Sequence, residues 1–199
     1  MKDFSEELYL DITSLARDSP SWLQHTAEIG TEAGIVVFVA LFVAAWWRVR
    51  RSTGRPLAAA LLAPVATGVA YLLSELAKTV FDQDRPCRSV AGAAASLAAC
   101  PERGDWSFPS NHATIAGASA VTLALVWRGL VWVTVPLALL SAFSRVFVGV
   151  HFPHDVVVGL ALGAVVAPLV LRLATAPAAR VLDSVRHRGR ERGRHTSGH

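Results

Sequence analysis

The sequence carries little charge for its length. Charged residues make up 17% of the 199 residues, whereas a soluble domain usually carries about a quarter. Hydrophobic residues reach 53%, the mean hydropathy is +0.42, and several apolar runs end in clusters of arginine. This pattern argues against a soluble protein and predicts a polytopic membrane protein with one membrane domain.

Other features are missing as well. Residues 1–20 lack a basic segment followed by an apolar core, so we expect no cleavable signal peptide. The chain has no clustered carboxylates and no Cys/His set with metal-ligand spacing, so we expect neither a metal site nor a cofactor. The net charge of +4 could indicate nucleic acid, but most arginines flank apolar runs. We therefore expect a lipid bilayer as the partner and no nucleic acid.

The apolar runs predict an all-α polytopic bundle of about five transmembrane helices. The spans are expected at about 33–47, 56–81, 112–127, 130–150 and 156–173. Before them, residues 4–17 place Phe4, Leu8, Ile12 and Leu15 on one helical face. This amphipathic segment predicts either a helix lying on the membrane interface or a helix packed on the bundle.

The distribution of arginine predicts the orientation. Residues 48–55 contain four arginines and no acid, and the chain after the fifth span is also rich in arginine. The 48–55 loop and the carboxyl terminus are therefore expected in the cytoplasm, with the 82–108 loop outside the inner (plasma) membrane. Residues 1–175 are expected to form the membrane domain, and 176–199 a disordered basic tail.

The chain has only two cysteines, Cys87 and Cys100, and both lie in the predicted outer loop. A disulfide is chemically permitted on that side of the membrane. The sequence leaves open whether the two residues form a disulfide or remain free thiols.

Residues that bind anions or transfer protons interrupt the apolar pattern at 144–155. Arg145, His151 and Asp155 lie between two apolar runs, and such groups at membrane depth are costly and mark functional sites. Pro153 suits the first turn of a helix, which places Asp155 in the same turn and within reach of His151. A histidine oriented by a carboxylate beside an arginine indicates a nucleophile or base acting on an anion such as phosphate.

Two other segments bring polar residues to the same predicted side. Lys78 and Arg85 lie at and beyond the outer end of the second span. Ser110 or Asn111 is expected to cap the third span, with His112 in its first turn. The amino terminus of a helix favours an anion, so these residues are candidates for the same phosphate site.

Together the three segments resemble the signature motifs of the type 2 phosphatidic acid phosphatase (PAP2) superfamily. They stand in the family's order and read Lys78-x6-Arg85-Pro86, Pro109-Ser110-Asn111-His112 and Ser144-Arg145-x5-His151-x3-Asp155. The second motif departs at Asn111, where the family usually has a glycine whose backbone amide contacts phosphate. Asparagine keeps that amide and tolerates unusual backbone angles, so we expect function to survive.

The resemblance implies a metal-independent phosphatase that works through a phosphohistidine. It implies that His151 attacks phosphorus and that Asp155 orients it. His112 would protonate the leaving oxygen and then activate water. The groups that would hold the nonbridging phosphate oxygens are Lys78, Arg85, Arg145, Ser110 and the amide of Asn111.

The expected substrate is a membrane lipid phosphate or diphosphate, because the site lies at the outer ends of the spans. A polyprenyl diphosphate such as undecaprenyl diphosphate ranks first, since bacteria must recycle it outside the cell. Phosphatidic acid and phosphatidylglycerol phosphate rank next. Two further classes stay open: a vanadium-dependent haloperoxidase, which shares the fold but is soluble, and a noncatalytic membrane scaffold or transporter. The sequence does not predict the oligomeric state.

Overall fold

The structure, a computed structural model, describes the backbone of residues 2–196 and the side chains of 4–186, and this part is helical without strands. Its helices are α1 (Lys2–Asp18), α2 (Ser21–Val49), α3 (Arg55–Phe81), α4 (Pro86–Ser89), α5 (Asn111–Val126), α6 (Val131–Phe147) and α7 (Pro153–Thr196). A single 3₁₀ turn at Arg128–Leu130 precedes α6. The predicted all-α bundle is therefore confirmed.

Four helical stretches of the described chain are long and apolar enough to cross a membrane, and they contain α2, α3, α6 and α7. The remaining predicted span, at about 112–127, corresponds to α5, which has 16 residues and would extend about 24 Å, less than the roughly 30 Å of a bilayer core. Its burial explains how a short helix fits here, since other helices rather than lipid surround it.

Helix α5 lies at the centre of the bundle, packed against α3, α6 and α7. Most positions from 113 to 123 are buried, and many of them are Ala, Gly, Ser or Thr. A methyl group on Gly163 of α7 would overlap the carbonyl oxygen of Thr114, so the two helices need glycine to approach this closely. The close packing brings their first turns together, where the Ser110 amide donates to the Asp155 carbonyl at 3.1 Å.

The outer surface of the bundle is apolar. Large hydrophobic side chains are exposed along the long helices, among them Val36, Val39 and Val43 on α2, Leu139 and Leu140 on α6, and Val165 and Leu169 on α7. A soluble monomer rarely exposes so much contiguous apolar surface, whereas lipid chains would cover it in a bilayer.

Helix α1 packs on the bundle with one face and exposes the other. Tyr9 and Ala16 are buried, and the Tyr9 hydroxyl donates to the Gly149 carbonyl at 3.0 Å. Phe4 and Leu15, on the predicted apolar face, stay exposed. The structure confirms that α1 packs on the bundle, while contact of its exposed face with the membrane interface stays a prediction.

Helix α2 begins at Ser21, about three turns before the predicted start of the first span. The expected boundary near residue 33 follows from Glu28 and Glu32, which lower the hydropathy without ending the helix. The extension places two more α2 residues, Thr31 and Glu32, at the end of the bundle that carries the three motifs.

The prediction of a disordered tail is wrong for the described part of residues 176–199, since α7 continues to Thr196. Asp183 accepts a hydrogen bond from the Gly54 amide at 3.0 Å, and Arg186 donates to the Ser52 carbonyl at 2.8 Å. These hydrogen bonds attach the polar end of α7 to the α2–α3 loop. The polar composition of this segment had suggested disorder because composition does not reveal such contacts. Residues 197–199 lie outside the described chain, and the domain boundary at 175 stays a prediction.

The long α3–α5 connection is closed on itself by a disulfide and held to the bundle by a backbone hydrogen bond. Cys87 and Cys100 are joined by a disulfide, with their Cα atoms 6.1 Å apart. Farther along, the amide of Leu97 donates to the Val148 carbonyl at 3.0 Å. This second contact links the connection to the turn between α6 and α7, which carries His151.

Candidate active site

The three motif segments meet at one end of the bundle. Lys78 lies in the last turn of α3, Arg85 precedes α4, and Arg145 lies in the last turn of α6. Ser110, Asn111 and His112 open α5, while His151 and Asp155 flank the start of α7. The following contacts connect these eight predicted residues into one site.

His151 and Asp155 form the centre of the site. Gly149, with φ of +85°, turns the chain between α6 and α7 in a conformation that favours glycine. His151 Nδ1 lies 3.4 Å from Asp155 Oδ2, a long contact. The same carboxylate oxygen accepts from the Phe152 amide at 2.9 Å and from the Ser107 hydroxyl. These donors hold the buried carboxylate where it can orient the imidazole.

The other ring nitrogen of His151 faces a cation. Arg85 Nη1 lies 3.0 Å from His151 Nε2 and donates to the Val150 carbonyl at 3.1 Å. Because a guanidinium can only donate, Nε2 carries the lone pair and Nδ1 carries the proton. Burial lowers the pKa of His151 to about 4, although the hydrogen bond with Asp155 acts to raise it. The imidazole is therefore neutral at pH 7, with Nε2 available as a nucleophile.

Two carboxylates that the sequence did not identify contact the cations, and the first is Asp105 in the loop before α5. Its Oδ1 lies 3.0 Å from Lys78 Nζ and 2.9 Å from Arg85 Nη2, and its carbonyl accepts from Arg85 Nε at 2.8 Å. Partial burial alone would raise the pKa of Asp105, but the hydrogen bonds from Lys78 and Arg85 outweigh it and lower the pKa. Asp105 therefore stays ionised and positions both cations.

The second carboxylate, Glu32, comes from α2. Glu32 Oε1 lies 3.1 Å from His112 Nε2 and 3.6 Å from Arg145 Nη1. The adjacent Thr31 hydroxyl accepts from Arg145 Nη1 at 3.0 Å and from Ser144 at 3.1 Å. Helix α2 thus completes the site, although sequence analysis placed these residues before the first span and gave them no role.

Ser110 stands at the cap position of α5, but no side-chain hydrogen bond caps this helix, contrary to the prediction. Within the described residues, the buried atoms Ser110 Oγ and Arg145 Nε have no hydrogen-bond partner. A buried donor without a partner costs free energy. Both residues belong to the predicted phosphate-binding set, and an oxyanion would supply the missing acceptors.

Asn111, which replaces the usual glycine, directs its side chain toward α3. Its Oδ1 accepts from Ser74 at 2.8 Å, and its Nδ2 donates to Glu75, which also lies 3.4 Å from Lys78. The residue begins α5, where the first amides of a helix have no intrahelical partner. The replacement is therefore accommodated, and the backbone amide keeps its place at the helix terminus.

Gln83 and His154 also contact the Asp155 carboxylate, although neither was singled out from the sequence. Asp155 Oδ1 lies 3.3 Å from Gln83 Nε2 and 3.1 Å from His154 Nε2. His154 stacks on Phe152, with ring centroids 5.3 Å apart. The sequence could have indicated the His154 contact, because His154 directly precedes Asp155. For Gln83 the only indication was its position between Lys78 and Arg85.

The arrangement suits a tetrahedral oxyanion. Three cations, Lys78, Arg85 and Arg145, are buried at the end of the bundle that carries His151, and each contacts a carboxylate. Fixed cations of this kind stabilise charge on the oxygens of a transferring phosphoryl group. In the described part of the chain, no three His, Cys, Asp or Glu side chains gather as a metal-binding group.

Comparison with known proteins identifies the family of this chain. The family model for the PAP2 superfamily matches residues 59–177. An undecaprenyl-diphosphatase from Sulfolobus acidocaldarius is 40% identical over 96 residues, which cover 48% of this chain and 45% of that protein. The undecaprenyl-diphosphatase BcrC of Bacillus subtilis is 32% identical over 145 residues, 71% of this chain and 70% of that protein. The match thus spans less than half of the first relative's length.

Solved structures show the same fold at lower identity. A transmembrane PAP2-type phosphatidylglycerolphosphate phosphatase from Bacillus subtilis aligns with a TM-score of 0.61 and 22% identity, covering 85% of this chain and 83% of that one. LpxE from Aquifex aeolicus aligns with a TM-score of 0.63 and 24% identity, covering 83% and 93%. With its apolar spans, three motifs and a family match over more than half its length, this multi-pass membrane protein belongs to the PAP2 superfamily.

Proposed function

We propose that this chain is a lipid phosphatase that removes the terminal phosphate of a polyprenyl diphosphate of the undecaprenyl type. One observation carries the proposal. The neutral Nε2 of His151 lies beside Arg85, in a cradle of three cations, while Asp155 lies on the Nδ1 side. This geometry matches the requirements of phosphoryl transfer to a histidine.

The first step joins His151 to phosphorus. The Nε2 lone pair attacks the terminal phosphorus, the N–P bond forms, and the bond from phosphorus to the bridging oxygen breaks. Lys78, Arg85 and Arg145 balance the charge on the nonbridging oxygens. The imidazole becomes positive as the new bond forms, and the buried Asp155 carboxylate stabilises that charge.

His112 handles the protons in both steps. Its Nε2 donates a proton to the leaving oxygen, and the lipid monophosphate departs. The neutral His112 then takes a proton from water as the water oxygen attacks the phosphohistidine, releasing inorganic phosphate and restoring His151. The side chain of His112 is 22% exposed, so water can reach it.

A lipid substrate is supported by the surroundings of the site. A cavity of about 410 Å³ between α2 and α6 reaches Ser144, the neighbour of Arg145, and is lined mainly by apolar side chains, including Leu23, Leu137, Leu140, Phe143 and Phe147. An acyl or prenyl chain suits such a surface. The activity of the two sequence relatives, both undecaprenyl-diphosphatases, favours a polyprenyl diphosphate, with phosphatidic acid and phosphatidylglycerol phosphate as the alternatives.

The site is proposed to face outside the cytoplasmic membrane. The arginines of the 48–55 segment lie at the opposite end of α2 from Glu32, and the positive-inside rule assigns that arginine-rich end to the cytoplasm. The Cys87–Cys100 disulfide, on the site's side of the bundle, also fits an oxidising compartment. A reporter fused to the carboxyl terminus should be active only inside the cell, and activity only outside would reverse this orientation.

The substrate is tested by phosphate release from three lipids in one detergent. Purified protein should hydrolyse polyprenyl diphosphate with a kcat/KM roughly tenfold or more above phosphatidylglycerol phosphate and phosphatidic acid. EDTA should leave the rate unchanged, and vanadate should inhibit. A tenfold preference for a glycerophospholipid would reverse the ranking.

The phosphatase assignment has its own controls. Loss of activity with EDTA that a divalent metal restores would refute the metal-independent mechanism. If His151→Ala complemented a deletion strain as well as the wild type does, a noncatalytic role would replace the enzyme. Stoichiometric vanadium in the purified protein would instead favour haloperoxidase chemistry.

A further inference from the structure

Two of the protein's own carboxylates contact the cations and His112 at the proposed phosphate site. Asp105 offers one oxygen to Lys78 and Arg85, and Glu32 offers one oxygen to His112 and Arg145. Each carboxylate oxygen thus makes the kind of contact that an oxygen of a bound phosphate would make. Either carboxylate could therefore compete with the substrate.

The two carboxylates are anchored differently. Asp105 lies within 3.0 Å of two cations, and its backbone carbonyl also holds Arg85 Nε. Glu32 lies 3.6 Å from Arg145, and its side chain is 70% exposed, against 47% for Asp105. A surface carboxylate with so much water around it gains little from its ion pair. Glu32 is therefore the carboxylate that can leave.

Glu32 also stands where a reacting atom must be. A group that receives a proton from His112 Nε2 must lie within hydrogen-bond distance of that nitrogen. Glu32 Oε1 already takes this position at 3.1 Å. Since one N–H cannot serve two acceptors well, Glu32 and the leaving oxygen of a substrate exclude each other.

We propose that Glu32 is a displaceable stand-in for the substrate's leaving oxygen. In the free protein it accepts the His112 Nε2–H and so presents the proton toward the cradle, and it swings into water when a phosphate enters. The inference rests on the proposed function for the identity of the leaving oxygen. It concerns a residue of α2, outside the family match at 59–177, so none of the three motifs contains it.

Direct binding of vanadate tests the proposal without turnover. Calorimetry in detergent at fixed ionic strength would compare the wild type with Glu32→Gln and with the control Glu28→Gln. Glu28 is an exposed carboxylate one turn earlier on α2. Glu32→Gln should bind vanadate roughly fivefold more tightly, because a competing carboxylate has gone, while Glu28→Gln should change binding by less than about twofold. The KM for a hydrolysed lipid should fall in parallel.

A shorter carboxylate separates contact from charge. Glu32→Asp keeps the charge but withdraws it by one methylene, so it should bind vanadate as tightly as Glu32→Gln. A structural defect would weaken binding rather than strengthen it, so the gain itself is diagnostic.

Three results would overturn the proposal: unchanged or weaker vanadate binding in a folded Glu32→Gln protein, equal tightening in Glu28→Gln, or wild-type binding by Glu32→Asp. The lipid hydrolysis assay tests the proposed phosphatase independently of these binding measurements. Hydrolysis by the wild type without tightening in Glu32→Gln would reject the stand-in alone. Tightening without lipid hydrolysis would instead reject the proposed phosphatase.

Discussion

The two histidines of the site lie in different surroundings. The side chains of His151 and Asp155 are 2% and 0% exposed, and their partners are buried groups such as Ser107 and Arg85. His112 is 22% exposed, and its partner Glu32 reaches it from α2 through a largely exposed side chain. After their proposed roles, we refer to these as the nucleophile half, His151–Asp155–Arg85, and the proton-transfer half, His112–Glu32–Arg145.

The difference in exposure fits the role proposed for each half. A nucleophile that forms a covalent bond needs one fixed geometry and a neutral ring, and burial with fixed donors supplies both. A group that gives a proton to one oxygen and takes one from another needs access to water and to a departing product. On this proposal the site combines a buried half with a partly exposed half.

The largest effect is expected when the nucleophile half loses its charge. Asp155→Asn keeps the side-chain shape but removes the carboxylate that stabilises the imidazolium, so kcat should fall by about a hundredfold or more. The exposed Asp84→Asn is the matched control. Initial rates and trapping of the phosphoenzyme measure the change. Retention of more than about a tenth of the activity would remove the distinction between the halves.

Removing the disulfide should lower the stability of the protein, because the bridge constrains the connection beside the nucleophile half. Cys87 and Cys100 are 13 positions apart, and their bridge constrains the connection that carries Asp105 and Arg85. Replacing both with serine should lower the free energy of unfolding by about 3 kcal/mol in the chain-entropy model. Denaturation in detergent, with the wild type in reductant as a second comparison, measures this. Mass spectrometry showing free thiols in protein prepared without reductant would remove the basis of the prediction.

A smaller effect is expected from Thr31 in the proton-transfer half. Thr31→Val keeps the volume but deprives buried Arg145 of a hydrogen-bond acceptor. A bond to a charged group contributes about 2 kcal/mol, so kcat/KM should fall roughly tenfold or more. Thr175→Val, which removes a hydroxyl bonded only to the α7 backbone at Leu171, should leave the rate unchanged. Equal rates for Thr31→Val and the wild type would mean that α2 does not position Arg145.

The smallest effect concerns pH. The pKa of His151 is about 4 in the folded protein, below its ordinary value near 6.5, because burial disfavours the charged ring. Between these values the unfolded chain binds the proton and the folded protein does not, so stability falls as pH falls. Lowering the pH from about 7.5 to about 5.5 should cost about 1 kcal/mol that His151→Gln does not lose. A parallel loss in both proteins would show that His151 is not desolvated.

The motif residues were predictable because their relations are local. His151 and Asp155 are four positions apart across the start of a helix that Pro153 opens, so helix geometry alone brings them together. Lys78 and Arg85 follow an apolar run of the right length, and Arg145 ends another. Apolar runs and helix ends thus place these residues on one side of a membrane without any knowledge of how the helices pack.

The carboxylate partners could not be predicted in the same way. Glu32 and His112 are 80 positions apart, and Thr31 and Arg145 are 114 apart. Their meeting depends on the register of α2 against α5 and α6, and no local pattern encodes that register. A glutamate near the start of an apolar span is common for other reasons, so the residue type alone did not predict that Glu32 contacts His112.

Hydrophobicity and charge in the sequence suffice for the helical membrane bundle, and motif spacing suffices to place His151, Asp155 and the three cations at one end of it. Both depend on interactions within a few residues or on the thickness of a bilayer. The face by which α1 packs, the continuation of α7 and the carboxylate that meets each cation belong to the tertiary structure. The Tyr9 hydrogen bond fixes α1, and hydrogen bonds to the α2–α3 loop hold the end of α7. The meeting of carboxylates and cations depends on the rotation and height of each helix, which the close contact of small residues sets only when the whole bundle is assembled.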